Sequence, residues 1–273
     1  MLTDHQECTA LVTAVARVGC LVDADGRQGF VDRTKHPSWW SDAPRPEVGD
    51  RLRVAALDAG RTPVRLSALP DDLRTARALR HTGPLERLCP PPPPGAVTGG
   101  VEWAAVEEAL GTALPADYKR LVRSYGCGLF AGTLRLLTPG HPDPCHDLPT
   151  QAREREEILR RLRESGEDRP PELLTPGVRL VPWGFDEGAG HFPYRVVRPG
   201  VEPEEWTVVL NEGRGPLWEA APVSCSRYLH DVVAGTSTSF HFGDLDEVVD
   251  PGDRARFVSY AEAFGDDRGA SAP

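Results

Sequence analysis

The chain has 273 residues and a mass of 29.7 kDa, with 40% hydrophobic and 26% charged residues. That composition is globular and excludes collagen-like and wholly disordered chains. Net charge is −10 and unevenly placed: residues 1–80 carry 12 basic and 11 acidic side chains, whereas residues 96–273 carry 18 and 29, a net of −11. A field of that sign repels nucleic acid and attracts basic proteins. No run reaches the roughly 18 apolar residues of a membrane span; the longest apolar stretch, Cys8 to Val22, is cut by Arg17. Asp4 and Glu7 precede it where a secretory signal carries positive charge, so a cytoplasmic chain is expected. The cysteines at 8, 20, 89, 127, 145 and 225 form no CxxC pair, and free thiols are expected.

In chain order, Leu11–Ala16 and Gly19–Asp23 read as strands. Asp25-Gly26 is a hairpin signal that returns the chain into Gly29–Asp32. Lys35–Pro46 reads as a loop rich in Pro and Trp. Arg51–Leu57 and Pro63–Ser67 complete five short strands, and Asp71–Arg80 is a short charged helix. Five strands in this length suit a small closed barrel.

The proline run Pro90–Pro94 marks a boundary, since such a run favours a semi-rigid extended spacer. Beyond it, Trp103, Val106 and Leu110 share a helical face, and Gly111 ends that helix. Leu114-Pro115 opens another with the stripe Tyr118, Leu121, Val122 and Tyr125, and Gly126 is placed for a left-handed cap. Gly128–Phe130 and Thr133–Leu137 read as a hairpin. Pro139–Pro149 is a loop, and Thr150–Glu164 a charged helix. Val178–Trp183, Phe192–Val197 and Trp206–Leu210 read as strands, and Ser226–Ala234 as a closing helix. The expected division is a barrel over 1–70, a helix and Pro-rich linker over 71–97, a second domain over 98–260 and a disordered tail over 261–273.

The blocks VTAVARVGCLVDADGRQGFVD, VGDRLRVAALD and PVRLS resemble the ribosomal-protein-type RNA-binding OB fold over residues 8–68. That resemblance implies bases stacked on aromatic side chains of the second and third strands, beside basic residues. The candidates are Phe30, Arg33, Lys35, Trp39 and Trp40; Cys20 stands where that family often has an aromatic. The same aromatics also suit a structural role, with Phe30 in the core and the tryptophans capping the barrel.

The blocks VEWAAVEEALGTALPADYKRLVRSYGCGLFAGTLRLLTP, LVPWGFDEGAGHF and WTVVL…APVSCSRYLHDVVAG are similar to the SUKH superfamily, the SMI/KNR-type domain, over residues 98–236. The fold class expected is therefore α+β: an OB-like five-stranded barrel, then a SUKH-like domain with a central, mostly antiparallel sheet flanked by helices. The second resemblance implies a non-catalytic binding module, an immunity protein that neutralises a cognate toxin, often a nuclease, through an acidic surface. Candidate partner-binding residues are Asp143, Asp147, Trp183, Phe185, Asp186 and Glu187. The alternative is an RNA-binding protein acting through the barrel, with the acidic domain as a regulatory or recruiting module.

Signatures of chemistry are sparse: GxSxG, HExxH, GxxxxGK[ST] and GxGxxG do not occur. His141, Cys145, His146 and Asp147 in HPDPCHD come nearest to a metal ligand set, but the run reads as a polar surface loop. Cys127, between two glycines, reads as a small residue in a tight turn rather than a nucleophile. Asp186-Glu187 and Glu204-Glu205 read as solvated rim, because neighbours on a strand point to opposite faces. No enzymatic activity, cofactor, metal, membrane or small-molecule substrate is expected.

Overall fold

The computed structural model describes residues 2–79, 82–93, 97, 100–213, 216–242, 245, 249 and 251–264. It divides into two units, Met1–Arg80 and His81–Pro273.

In the first unit, β1 (Glu7–Ala16), β2 (Gly19–Ala24), β3 (Arg27–Asp32), β4 (Arg51–Asp58) and β5 (Val64–Ser67) close a barrel in the order β1-β2-β3-β5-β4. Every pairing is antiparallel except β3 with β5. Asp25 and Gly26 take φ of 52° and 77°, the two positive values that a tight hairpin turn requires. β1 is long enough to serve two partners. Its first half pairs with β4 and its second with β2, and a bulge between Val12 and Ala14 bends it so that the barrel can close. Small and β-branched residues, with Leu66, fill the interior: Ala10, Val12, Val22, Ala24, Val31, Val54 and Ala56. Gly19 has φ +148°, and a side chain there would stand 2.2 Å from the Val31 carbonyl oxygen. α1 (Pro70–Leu79) packs on β4 and β1. Its Asp72 accepts from the Ser67 hydroxyl at 2.5 Å and from Lys35 Nζ at 2.9 Å, which ties the loop after β3 to β5 and α1.

The second unit starts inside the stretch read as a linker. There α2 (Thr82–Leu88) buries Leu85, and the following Cys89 gives its carbonyl to the Tyr125 hydroxyl at 2.6 Å. Residues 94–96, 98 and 99 lie outside the described residues. α3 (Trp103–Leu110) ends at Gly111 in the left-handed conformation. α4 (Ala116–Tyr125) follows Pro115 and buries Tyr118, Leu121, Val122 and Tyr125. Gly126 does not make the left-handed cap expected of it. Its φ is 68° but its ψ is −155°, a region open essentially only to glycine, and it sends the chain straight into a strand.

The remaining elements are β6 (Gly128–Phe130), β7 (Leu134–Leu136), α5 (Leu148–Glu164), β8 (Arg179–Pro182), β9 (Gly184–Asp186), β10 (Phe192–Val197), β11 (Val208–Asn211), β12 (Trp218–Ala221), α6 (Cys225–Val233), α7 (Pro251–Arg254), β13 (Phe257–Ser259) and α8 (Tyr260–Phe264). They build two four-stranded antiparallel sheets, β12-β11-β10-β8 and β13-β6-β7-β9, in place of the single central sheet expected. Trp183 is the joint between them. Its N–H donates to Pro193 in β10 at 3.0 Å, and its carbonyl accepts from Leu137, just after β7, at 3.1 Å. α5 begins at Leu148, two residues earlier than expected, because Asp147 caps it. α8 occupies the start of the stretch read as a disordered tail; residues 265–273 lie outside the described residues.

Candidate nucleic-acid interface

Along β3 the side chains alternate: Gly29 and Val31 face the barrel interior, and Phe30 between them is half-buried on the outside. The register places Phe30 beside Leu21 of β2 on one flank and Arg65 of β5 on the other. An open cavity of about 480 Å³ lies here, with Phe30, Lys35, Arg61 and Arg65 in its walls together with Asp32 and Asp58. Two of the three cations are engaged: Lys35 with Asp72 at 2.9 Å and Arg61 with Asp58 at 3.0 Å. Among the described residues Arg65 forms no direct ion pair, though its charge helps to lower the pKa of the Asp32 carboxyl in the same cavity wall. Asp32 accepts from the Thr34 N–H at 2.9 Å and the Thr34 hydroxyl at 2.7 Å. These bonds hold its carboxyl below the usual range.

The loop after β3 carries two short 3₁₀ turns, Arg33–Lys35 and Pro37–Trp39. His36 joins them. It is buried, its Nδ1 accepts from the Ser38 N–H at 3.2 Å, and burial lowers its pKa while Asp50 opposes that shift. Trp39 is 47% exposed and Trp40 67% exposed. The Arg33 guanidinium lies 4.2 Å from the Trp39 ring centroid, and the Trp40 indole N–H donates to the Thr34 carbonyl at 2.9 Å. The tryptophans thus present ring surface to solvent, and Phe30 is not a core residue. Cys20, at the position where an aromatic would be sought, points into the barrel. Of the five residues singled out from the sequence, Phe30 and Lys35 line the cavity, while Arg33, Trp39 and Trp40 sit on the loop that follows β3; the structure adds Arg61 and Arg65 from β5 and the turn before it. Arg65 was readable as an outward position in the alternating Pro63–Ser67 strand; its adjacency to Phe30 was not, because it depends on the parallel β3–β5 pairing.

The partner-binding candidates of the second unit are occupied internally. Trp183 is 0% exposed, so it cannot anchor a docked protein as expected. Phe185 packs on Phe192 with ring centroids 5.0 Å apart. Asp147 accepts from the Thr150 N–H at 3.0 Å and the Gly140 N–H at 2.8 Å. Asp186 is buried and accepts from the Thr133 hydroxyl and the Gly188 N–H. Glu187 pairs with the buried Arg135. Asp143 accepts from the Cys145 N–H at 2.9 Å, and that bond holds its carboxyl below the usual range.

The HPDPCHD run does not act as one group. Cys145 is exposed and Asp147 is the helix cap, while His141 and His146 turn toward Cys127. Burial pushes the Cys127 thiol up, with Arg135 opposing, and lowers the pKa of His146. The sequence carried no signal for this convergence beyond the residue types themselves.

No family model matches the chain, and no curated protein matches it. Among solved structures, an uncharacterized protein from Methanocaldococcus jannaschii is similar at 15% identity and TM-score 0.22, over 26% of this chain and 96% of that one. The a/eIF2alpha–aDim2p–rRNA complex from Pyrococcus horikoshii OT3 is similar at 16% identity and TM-score 0.24, over 46% of this chain and 76% of that one. A multidomain protein with nucleic acid binding domains from Streptococcus pneumoniae is similar at 12% identity and TM-score 0.25, over 44% of this chain and 41% of that one. Likenesses at these scores carry no functional argument.

Proposed function

We propose that the first unit binds single-stranded RNA on the outer face of its barrel. The observation that carries this is the pairing of Phe30 with Arg65 across β3 and β5, at the wall of an open cavity. Phe30 offers a base a stacking face, and Arg65 offers a phosphate a cation beside Asp32. Trp39 and Trp40, exposed on the adjoining loop, extend the platform to neighbouring bases. Every base has a π-face, so such a surface is tolerant of sequence, and each stacked base contributes about 1–3 kcal/mol. With a net charge of only +1 over residues 1–80, affinity rests on stacking more than on phosphate attraction. This is the function implied by the OB-type resemblance.

The test is binding of a fluorescent uridine oligonucleotide to the full chain across a salt series. Binding that weakens with salt, with Phe30→Ala lowering affinity by roughly 5- to 150-fold, is the expected result. Undetectable binding at low salt, or an unchanged affinity in Phe30→Ala, refutes the proposal.

The acidic second unit has a separate supporting observation for the SMI/KNR-type role of docking a basic protein: its net of −11 over residues 96–273. Trp183 and Asp186 are buried in that unit, so docking there would have to use other exposed acidic positions. A stoichiometric complex with a basic protein encoded beside this chain would support that role, and one that forms equally at high salt would count against charge steering.

A further inference from the structure

Cys127 follows the Gly126 turn at the end of α4, and its carbonyl accepts from the Tyr260 N–H at 3.0 Å. His146 is pinned by its own main chain, which donates to Asp143 and accepts from Thr138, both at 3.0 Å. His141 reaches the same place from the start of the proline loop. The Cys127 sulfur and one ring nitrogen each from His141 and His146 lie within 4.8 Å of one another. The Tyr260 ring packs edge-on against both imidazoles, with centroids at 4.6 Å and 5.2 Å.

We propose that Cys127, His141 and His146 form a binding site for a borderline divalent transition metal, with zinc the best chemical match. Three features of the surroundings argue for it. The donor set is one thiolate and two imidazoles, the N/S mixture that zinc prefers. In a tetrahedral zinc site such donors stand about 3.3–3.6 Å apart, following from bonds of roughly 2.0–2.3 Å. The observed spacing closes to that with a shift of about 1 Å, which the half-buried His141 on its loop can supply.

Second, His146 is only 8% exposed, and its Nδ1 has no aligned hydrogen-bond partner. The Asp143 carboxylate lies 3.2 Å from that nitrogen, and the Asp143 carbonyl lies 3.3 Å from His141 Nδ1, where it can accept the ring N–H in the tautomer that leaves Nε2 free to ligate. Asp143 thus stands beside both imidazoles, its carboxylate at His146 and its carbonyl at His141, in the place outer-shell acceptors take around metals.

Third, the local charge asks for a cation. Asp143 and Glu187 are negative and Arg135 positive, with Arg135 Nη1 3.9 Å from the Cys127 sulfur and Glu187 Oε1 3.8 Å from His146 Nε2. Counting these three described residues, with a neutral thiol the sum is one excess negative charge. A divalent ion that binds as Cys127 releases its proton to solvent brings the sum to zero. Three protein donors leave the fourth tetrahedral position to water, the open arrangement of sites that also bind substrate.

The test uses the reduced, chelator-treated full chain and cobalt(II) as the probe. One equivalent is expected to give tetrahedral d–d bands and a thiolate-to-cobalt charge-transfer band, both abolished by zinc. The charge-transfer band should vanish in Cys127→Ser and persist in Cys145→Ser. Asp143→Asn should weaken zinc binding by about 10- to 100-fold. Should Cys127→Ser lose its far-ultraviolet circular dichroism, His141→Asn, on the loop, takes its place and should lose the tetrahedral spectrum with its fold intact. No charge-transfer band in the unmodified chain, a band that depends on Cys145, or a spectrum unchanged in His141→Asn would overturn the site.

Discussion

The guanidinium of Arg195 lies 3.9 Å from the centre of the Tyr118 ring, and both side chains are wholly buried. Arg195 also donates to the Cys225 sulfur at 3.7 Å, and that thiol donates to the buried Asp117 at 3.4 Å. A planar cation on an aromatic face inside a core uses both charge and shape. Arg195→Lys keeps the charge and loses the stacked plane, while Arg195→Met keeps the volume and loses the charge. Because an ammonium buried without good partners is costly, Arg195→Lys is expected to be the less stable variant, by about 1–2 kcal/mol. Urea unfolding followed by tryptophan fluorescence decides it; equal midpoints for the two variants would mean that the buried ammonium carries no cost at this position.

Asp147 sits where the proline loop becomes α5. Its Oδ2 accepts from the Thr150 N–H and hydroxyl, and its Oδ1 from the Gly140 N–H. One carboxylate thus caps the helix and pins the loop. Asp147→Ala is expected to lower stability by about 1–2 kcal/mol, while Asp147→Asn keeps most of the cap. Two variants of equal stability would contradict this.

The barrel was largely legible because its strands alternate and Asp25-Gly26 names its own turn. The second unit was legible in its helices, where Tyr118, Leu121, Val122 and Tyr125 mark one face. β9 was not, since Gly184-Phe185-Asp186 is too short to show a period and follows a tryptophan that looks like a docking anchor. That tryptophan is the joint between the sheets, a role set by pairings on both its sides and invisible in its neighbours. For the same reason HPDPCHD misled: Cys145 is adjacent to His146 in the chain, yet the thiol that meets His146 comes from Cys127, carried there by the α4–β6 turn.

Gly19 tests how tightly the barrel closes. With φ at +148° and the Val31 carbonyl 2.2 Å from where a Cβ would stand, Gly19→Ala must move β2 against β3. The expected loss is more than about 1 kcal/mol, the excess over the usual glycine-to-alanine effect arising from strain. Amide exchange across the β2–β3 pairing is the readout, and unchanged protection there would show that the backbones separate without penalty.

His36 gives the first unit a pH dependence whose sign is fixed by its surroundings. Its Nδ1 accepts from the Ser38 N–H, so the imidazole is held neutral, and burial outweighs Asp50 in lowering its pKa below the ordinary 6.5. Between the lowered folded value and 6.5, the unfolded chain binds a proton that the folded chain does not, so stability rises with pH through that window. The contribution is complete above the ordinary histidine value and disappears as pH falls through the folded one. Protonation would also remove the acceptor that starts the turn bearing Trp39, so acid should loosen the tryptophan loop before the barrel. His36→Asn keeps an acceptor for Ser38 without titrating there, so the variant should lose this part of the pH dependence. The measurement is the pH profile of amide protection at Ser38 and along β3 in the two proteins. Superimposable profiles would show that His36 does not couple protonation to the fold of this loop.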